Sequence, residues 1–205
     1  MSGNGFAAAR RAVDVVNAVR ATPAANRERL AALLVAHGER PSDVGPAALT
    51  EADAEALRAA AGALAEVLTE TDVDRAAEAL NALLAACGAR PRLSRHDGHV
   101  WHLHVDRGED ASWAEWFTAS GAHALAQLLS EHGGLAWGVC AAAGCGRCYL
   151  TPGPGSPRRH CSPACANRAR VAAHRRRRAA ERRTTPPTGT GWSGAPSLPR
   201  RHQGS

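Results

Sequence analysis

Five of the six cysteines fall between Cys140 and Cys165, and an arginine run follows them directly. Cys140, Cys145 and Cys148 come first, then a Gly/Pro/Arg loop, then Cys161 and Cys165. Two cysteine groups separated by about 15 residues have the spacing of a structural zinc site. Zinc takes four thiolates tetrahedrally at about 2.3 Å, so each pair must come from a tight turn or from the first turn of a helix. Cys161-Ser-Pro-Ala-Cys165 suits the helix start: Ser162 is a good N-cap, and Pro163 falls at the first helical position, where its missing N–H costs nothing. The positive end of the helix dipole favours a thiolate at Cys165.

The first pair is ambiguous on spacing. Cys145 and Cys148 are separated by two residues, the more usual knuckle, which would leave Cys140 spare. His160, beside Cys161, is a further candidate ligand. A disulfide network is disfavoured, because the sequence has no signal peptide and no other mark of secretion. Cys87 lies far from the group in an apolar helix and reads as an inert core thiol.

The segments Cys140-x4-Cys145-Gly-Arg, Arg158-Arg159-His160-Cys161-Ser162 and Cys165-Ala166-Asn167-Arg168-Ala169-Arg170 resemble the bacterial CGNR zinc-finger family. That family is named for a Cys-Gly-Asn-Arg run, in which Ala166 here replaces the glycine. The resemblance implies Zn(2+) on Cys140, Cys145, Cys161 and Cys165, and puts Cys148 where the family usually has an apolar residue. Ala12-Val13-Asp14-Val15-Val16-Asn17 resembles the opening of the helical ABATE domain that commonly precedes such a finger. Together the two resemblances cover roughly residues 6 to 183. They imply a transcription regulator linked to stress, with RNA binding as the other role described for the family.

Charge divides the chain in the same place. Residues 1–139 hold 12 arginines and 18 acids, a balance of −6; residues 140–205 hold 13 arginines and one acid, Glu181, a balance of +12. An acidic body with a basic end suggests two jobs for two parts. There is no lysine, and with so much Ala, Gly and Pro this points to a GC-rich bacterial gene. No apolar stretch approaches the roughly 20 residues of a membrane span, so a cytoplasmic protein without membrane contact is expected.

The basic end supplies the candidate nucleic-acid contacts: Arg158, Arg159, Asn167, Arg168, Arg170, Arg175, Arg176, Arg177, Arg178, Arg182 and Arg183. A helix from Pro163 to Arg183 would be roughly 30 Å long. Arg168, Arg175 and Arg182 recur on one side, while Arg170 and Arg177 line another. Guanidinium forks suit phosphate oxygens and guanine edges. DNA is preferred over RNA as partner because the chain lacks the aromatic stacking motif of an RNA-recognition sheet. A homodimer, a protein-interaction adaptor and a small ligand of the helical domain stay open. Catalysis is not expected: there is no nucleophile motif, no Gly-rich phosphate loop and no paired carboxylates, and four thiolates leave zinc no open position.

The elements that must position these residues are mostly helical. Apolar spacing predicts helices over about 6–20 (Phe6, Val13, Val16, Val19) and 26–37, the second stopped by Gly38. A Pro/Gly loop over 39–49 follows. Thr50 and Asp53 form a capping box opening a long helix through Leu57, Leu64, Val67 and Leu68. Thr71 or Asp72 caps the next helix, with Leu80, Leu83, Leu84 and Cys87 inward and Gly88 ending it. The period then changes to two. Arg90 to Arg95 and His99 to Val105 flank Asp97-Gly98, a hairpin signal. Trp101, Leu103 and Val105 should face the helices. His102-x-His104-x-Asp106 places two imidazoles on one strand face, and is read as a solvent-facing edge rather than a metal site. A last helix over about 112–132 carries Trp113, Trp116, Phe117, Leu125, Leu128 and Leu129 to the core and breaks at Gly133-Gly134.

The fold class expected is therefore mainly α (α+β). A helical domain with one β-hairpin occupies residues 6–134, a treble-clef or ribbon-like zinc finger with a basic helix occupies 135–183, and residues 184–205 form a disordered tail.

Overall fold

The computed structural model describes residues 3–95, 101–105, 108, 110–151 and 158–184. The fold is mainly α, with six helices and two antiparallel β-hairpins among the described residues. The helices are α1 (Gly3–Ala21), α2 (Arg27–Ala36), α3 (Glu51–Thr69), α4 (Val73–Ala86), α5 (Trp113–His132) and α6 (Pro163–Thr184). The strands are β1 (Arg92–Ser94), β2 (His102–His104), β3 (Trp137–Val139) and β4 (Cys148–Leu150). The chain divides into two compact units, Met1–Ala169 and Arg170–Ser205.

Local chemistry sets the helix boundaries. The Asn26 side chain accepts the Arg29 N–H to start α2, and Gly38 beyond its end has φ +105°. Thr50 and Asp53 form the expected capping box, in which each side chain binds the other's backbone N–H. Asp72, rather than Thr71, caps α4 by accepting from Asp74 and Arg75. Ser112 and Glu115 make a second capping box at α5, which ends at left-handed Gly133.

In the first unit α5 packs against α1, α3 and α4. Leu57, Leu64, Leu68, Phe117 and Leu125 are fully buried between these helices, and Leu30 of α2 joins the same core. Gly121 marks the tightest approach: a Cβ there would lie 2.9 Å from Leu64 Cδ1 and 3.3 Å from Ala12 Cβ, so α1, α3 and α5 meet where one residue has no side chain. Arg11 crosses the same layer. It donates to Ser120 Oγ at 3.1 Å, reaches Glu39 Oε1 at 3.4 Å and lies 4.1 Å from the centroid of Trp116. The two indoles on α5, Trp113 and Trp116, meet edge to face with centroids 5.3 Å apart. Trp113 Nε1 donates to the Ala48 carbonyl at 2.9 Å, which ties the loop ahead of α3 to α5.

Two expectations are corrected. Strands β1 and β2 do pair, with Leu93 opposite Leu103, but the apolar face of β2 is not turned into the core. Trp101 is 62% exposed and Leu103 50%, and only Val105, just past the strand, is buried. Alternation along a strand shows which residues share a face, not whether another element covers it. The Arg95 guanidinium lies over the Trp101 ring instead, 5.5 Å from its centroid. Cys87 forms the C-cap of α4 and is half-buried there, not a core residue. The Asp97-Gly98 turn, Asp106 and the tail from residue 185 lie outside the described residues. No helix among the described residues is long and apolar enough to cross a membrane.

Candidate metal centre and basic helix

The β3–β4 hairpin presents the first two cysteines. Trp137, Gly138 and Val139 pair with Leu150, Tyr149 and Cys148. The Cys140 N–H donates to the Arg147 carbonyl, and the Cys145 N–H to the Ala142 carbonyl, closing the turn between the strands. Gly144 and Gly146 take φ of +70° and +62°, the left-handed conformation that this reversal requires on either side of Cys145. The Trp137 indole anchors the hairpin to the helical layer by donating to the Val67 carbonyl at 3.1 Å.

The second pair lies on the start of α6. The Cys165 N–H donates to Ser162 Oγ at 3.2 Å and the Ala166 N–H to the Ser162 carbonyl, so Ser162 caps the helix and Pro163 opens it. The chain just before is laced to the hairpin. The Ala141 N–H donates to the Arg159 carbonyl at 2.8 Å, and the Tyr149 hydroxyl donates to the Arg158 carbonyl.

This brings the sulfurs of Cys140, Cys145, Cys161 and Cys165 within 4.8 Å of one another. Three of the separations are 3.7, 3.6 and 3.7 Å, for Cys145–Cys161, Cys161–Cys165 and Cys165–Cys145. A tetrahedron with metal–sulfur bonds of about 2.3 Å has edges of about 3.8 Å, so the four fit a zinc ion. A disulfide would need about 2.05 Å, and all six cysteines are free.

Cys148 is not in the cluster, and the Cys145/Cys148 knuckle suggested by spacing does not form. Cys148 lies on β4, is 2% exposed and packs into the helical core. Burial pushes its thiol up. His160 is likewise not among the four.

The cluster polarises its thiols in opposite directions. Cys165 is drawn down to about 6, first by the Ser162 hydroxyl and then by Cys161. Cys161 is pushed up to about 12 by burial and by hydrogen bonding to Cys165, Cys145 and Cys140. Burial alone would raise Cys140, but bonds from the Cys161 and Ala142 backbone outweigh it and lower the thiol. A thiol drawn down at the helix start, within hydrogen-bond reach of the Cys161 and Cys145 sulfurs, suits the arrangement to a metal ion.

The arginines divide by what they touch. Arg168 Nη2 donates to Cys165 Sγ at 3.1 Å, so this side chain binds a sulfur of the cluster. Arg158 and Arg159 give their backbone carbonyls to the hairpin and keep exposed side chains. Asn167, Arg170, Arg175 to Arg178, Arg182 and Arg183 are exposed along α6. Two contributors were not singled out from sequence. Tyr149 joins β4 to the segment before Cys161, and Asn17 binds the backbone of Cys148 from α1. Asn17 did carry a signal, as a polar residue closing the valine-rich run that resembles the ABATE opening, and the structure buries it.

No curated protein matches the chain. The CGNR zinc finger family matches residues 137–178, which contain the whole cysteine cluster and most of α6. The ABATE family, described as "Putative stress-induced transcription regulator", matches residues 9–144, from α1 through the first cysteine. That second match spans more than half of the sequence, and the cysteine geometry agrees with the first: the chain belongs to the ABATE family and carries a CGNR zinc finger behind its helical domain.

Proposed function

We propose that this protein is a DNA-binding transcription regulator of the bacterial cytoplasm. A structural zinc ion on Cys140, Cys145, Cys161 and Cys165 holds the start of α6, and the arginines of α6 meet nucleic-acid phosphate. The observation that carries this reading is the composition of one helix. Cys161 lies just ahead of α6 and Cys165 in its first turn, and the helix continues into eight arginines against one acid, Glu181. A surplus of seven like charges on one helix calls for a polyanionic partner. Four thiolates close the zinc coordination sphere, which favours a structural role over a catalytic one. Functionally the chain divides into the helical domain 6–134, the finger with its basic helix 135–183, and a tail 184–205.

The test is binding of the zinc-loaded protein to random duplex DNA and to a structured RNA hairpin across a salt series. With about five phosphates engaged, log K should fall against log salt with a slope of roughly −4 to −5 on DNA. Tighter binding to the hairpin would transfer the reading to RNA. Absence of binding to both at low salt would overturn it in favour of a protein partner.

A further inference from the structure

Within the first unit, a cleft of about 690 Å³ opens between α1 and the β3–β4 hairpin, where the chain approaches Cys161. Its α1 wall carries Phe6, Arg10, Val13 and Asp14, its opposite wall carries Arg147, Tyr149 and Arg158, and the metal cluster borders it through Cys145, Cys161 and Cys165. The volume lies in the range of small-molecule sites.

Most polar groups in the cleft already have partners. The Asn17 amide is bound on both sides to the Cys148 backbone, and the Tyr149 hydroxyl is bound to the Arg158 carbonyl. Asp14, the only carboxylate in the lining, pairs with His37 Nε2 at 3.1 Å. Arg168 donates to the Cys165 sulfur. What remains is three guanidiniums. Arg147 and Arg158 form no ion pair among the described residues, and Arg10 only overlies the Phe6 ring at 5.4 Å. Arg168 brings the guanidiniums of the lining to four, against one already paired carboxylate and, once zinc is bound, a cluster of four thiolates with a net charge of −2; the balance stays positive and concentrates at Arg10, Arg147 and Arg158. Their free donors match an oxyanion, and Phe6 and Val13 offer an apolar wall beside them.

We propose that this cleft binds a small organic oxyanion, a carboxylate or phosphate monoester carrying a ring or alkyl body. The oxyanion sits among Arg10, Arg147 and Arg158, and the body lies against Phe6. Such a ligand bridges α1 to the metal hairpin, which gives the helical domain a means of sensing a metabolite beside the finger. The inference does not depend on α6 binding nucleic acid.

The experiment titrates the full zinc-loaded chain with phenyl phosphate, benzoate and inorganic phosphate by calorimetry at constant ionic strength, with benzyl alcohol as the neutral control. The expected result is saturable one-to-one binding of phenyl phosphate or benzoate, tighter than inorganic phosphate, and none of benzyl alcohol. The Arg10→Gln/Arg147→Gln variant should weaken it about tenfold or more. Arg29→Gln/Arg75→Gln, which removes equal charge from exposed positions of α2 and α4, should leave it unchanged. Phe6→Ala should bring phenyl phosphate down toward inorganic phosphate. Circular dichroism and zinc content verify that each variant is folded. Lack of saturable binding by the wild-type chain, or equal weakening by both double variants, would overturn the proposal. So would displacement of phenyl phosphate by short duplex DNA whose own affinity falls in Arg10→Gln/Arg147→Gln, since the cleft would then belong to the nucleic-acid interface.

Discussion

Asn17 and Cys148, 131 residues apart, are joined by two hydrogen bonds. Asn17 Nδ2 donates to the Cys148 carbonyl at 2.9 Å, and the Cys148 N–H donates to Asn17 Oδ1 at 2.8 Å. The side-chain amide acts as a one-residue strand on the open edge of β4. Both residues are buried, so the pairing is shielded from water. It links α1 of the helical domain to the hairpin that carries the metal cluster.

Asn17→Ala leaves a buried donor and a buried acceptor without partners. The expected loss is about 2–4 kcal/mol of unfolding free energy, measured by urea titration of the zinc-loaded protein. Asn17→Asp should retain the bond from the Cys148 N–H, lose the one to its carbonyl, and gain a buried charge. It should therefore also destabilise, and recover partly as the pH falls and the carboxyl becomes protonated.

Cys148 separates the two readings of the metal site, and Cys161 tests the pair common to both. Cys161→Ser should remove a ligand and reduce bound zinc from one per chain toward none. Cys148→Ala should keep the full equivalent, at a small stability cost for the lost sulfur. Zinc content of the purified proteins by atomic absorption decides it; full zinc in Cys161→Ser would refute the ligand set.

Arg168 donates to the Cys165 sulfur, so Arg168→Gln should loosen the metal before it affects nucleic-acid binding. Loss of such an outer partner typically costs about 10–100-fold in metal affinity. Competition with a chromophoric chelator should show faster zinc release, and Arg168→Lys should restore part of the loss. If release is unchanged, the contact has no influence on the metal.

Zinc uptake should depend on pH with a definite sign. With Cys165 near 6 and Cys161 near 12, the metal-free cluster near neutral pH holds a thiolate at Cys165 and a protonated thiol at Cys161. Zinc must displace protons, so loading releases them and apparent affinity rises with pH. Below about 6 the Cys165 proton must also be displaced, and affinity should fall more steeply. Proton release into a weakly buffered indicator solution measures this directly; uptake without release would contradict thiolate ligation.

Replacing Arg175, Arg176, Arg177 and Arg178 with glutamine should flatten the salt dependence of DNA binding. Each phosphate contact removed lowers the slope by about 0.9. Zinc content should not change, because none of the four belongs to the cluster. A variant with the original slope would show that these arginines do not touch phosphate.

Where the determinants are local, the sequence is readable. Thr50 with Asp53, Ser162 with Pro163, and Gly38, Gly88 and Gly133 place helix ends to within two or three residues, because capping and left-handed glycine act within one turn. Zinc spacing identifies Cys161 and Cys165 for the same reason. Spacing fails at Cys148, whose thiol is turned to the core by long-range packing and whose backbone is bound by a residue on α1. The family resemblance supplied what spacing did not. Leu103 and Trp101 fail similarly, since no local pattern reveals whether a strand face will be covered. Arg168 could not be told from its neighbours by residue type, because only the fold brings it against a sulfur.

The position of α1 between α5 and β4 has a consequence during synthesis. The valines of α1 leave the ribosome long before the segments that cover them. At roughly 5–20 residues per second, the interval between Asn17 and Cys148 is on the order of ten seconds. Until α5 follows, roughly 100 residues behind Asn17, α1 has only α2 and then α3 to pack against. Although largely helical, the first unit closes late and through contacts distant in sequence, so its nascent form should rely on chaperones more than a bundle of sequential helices would.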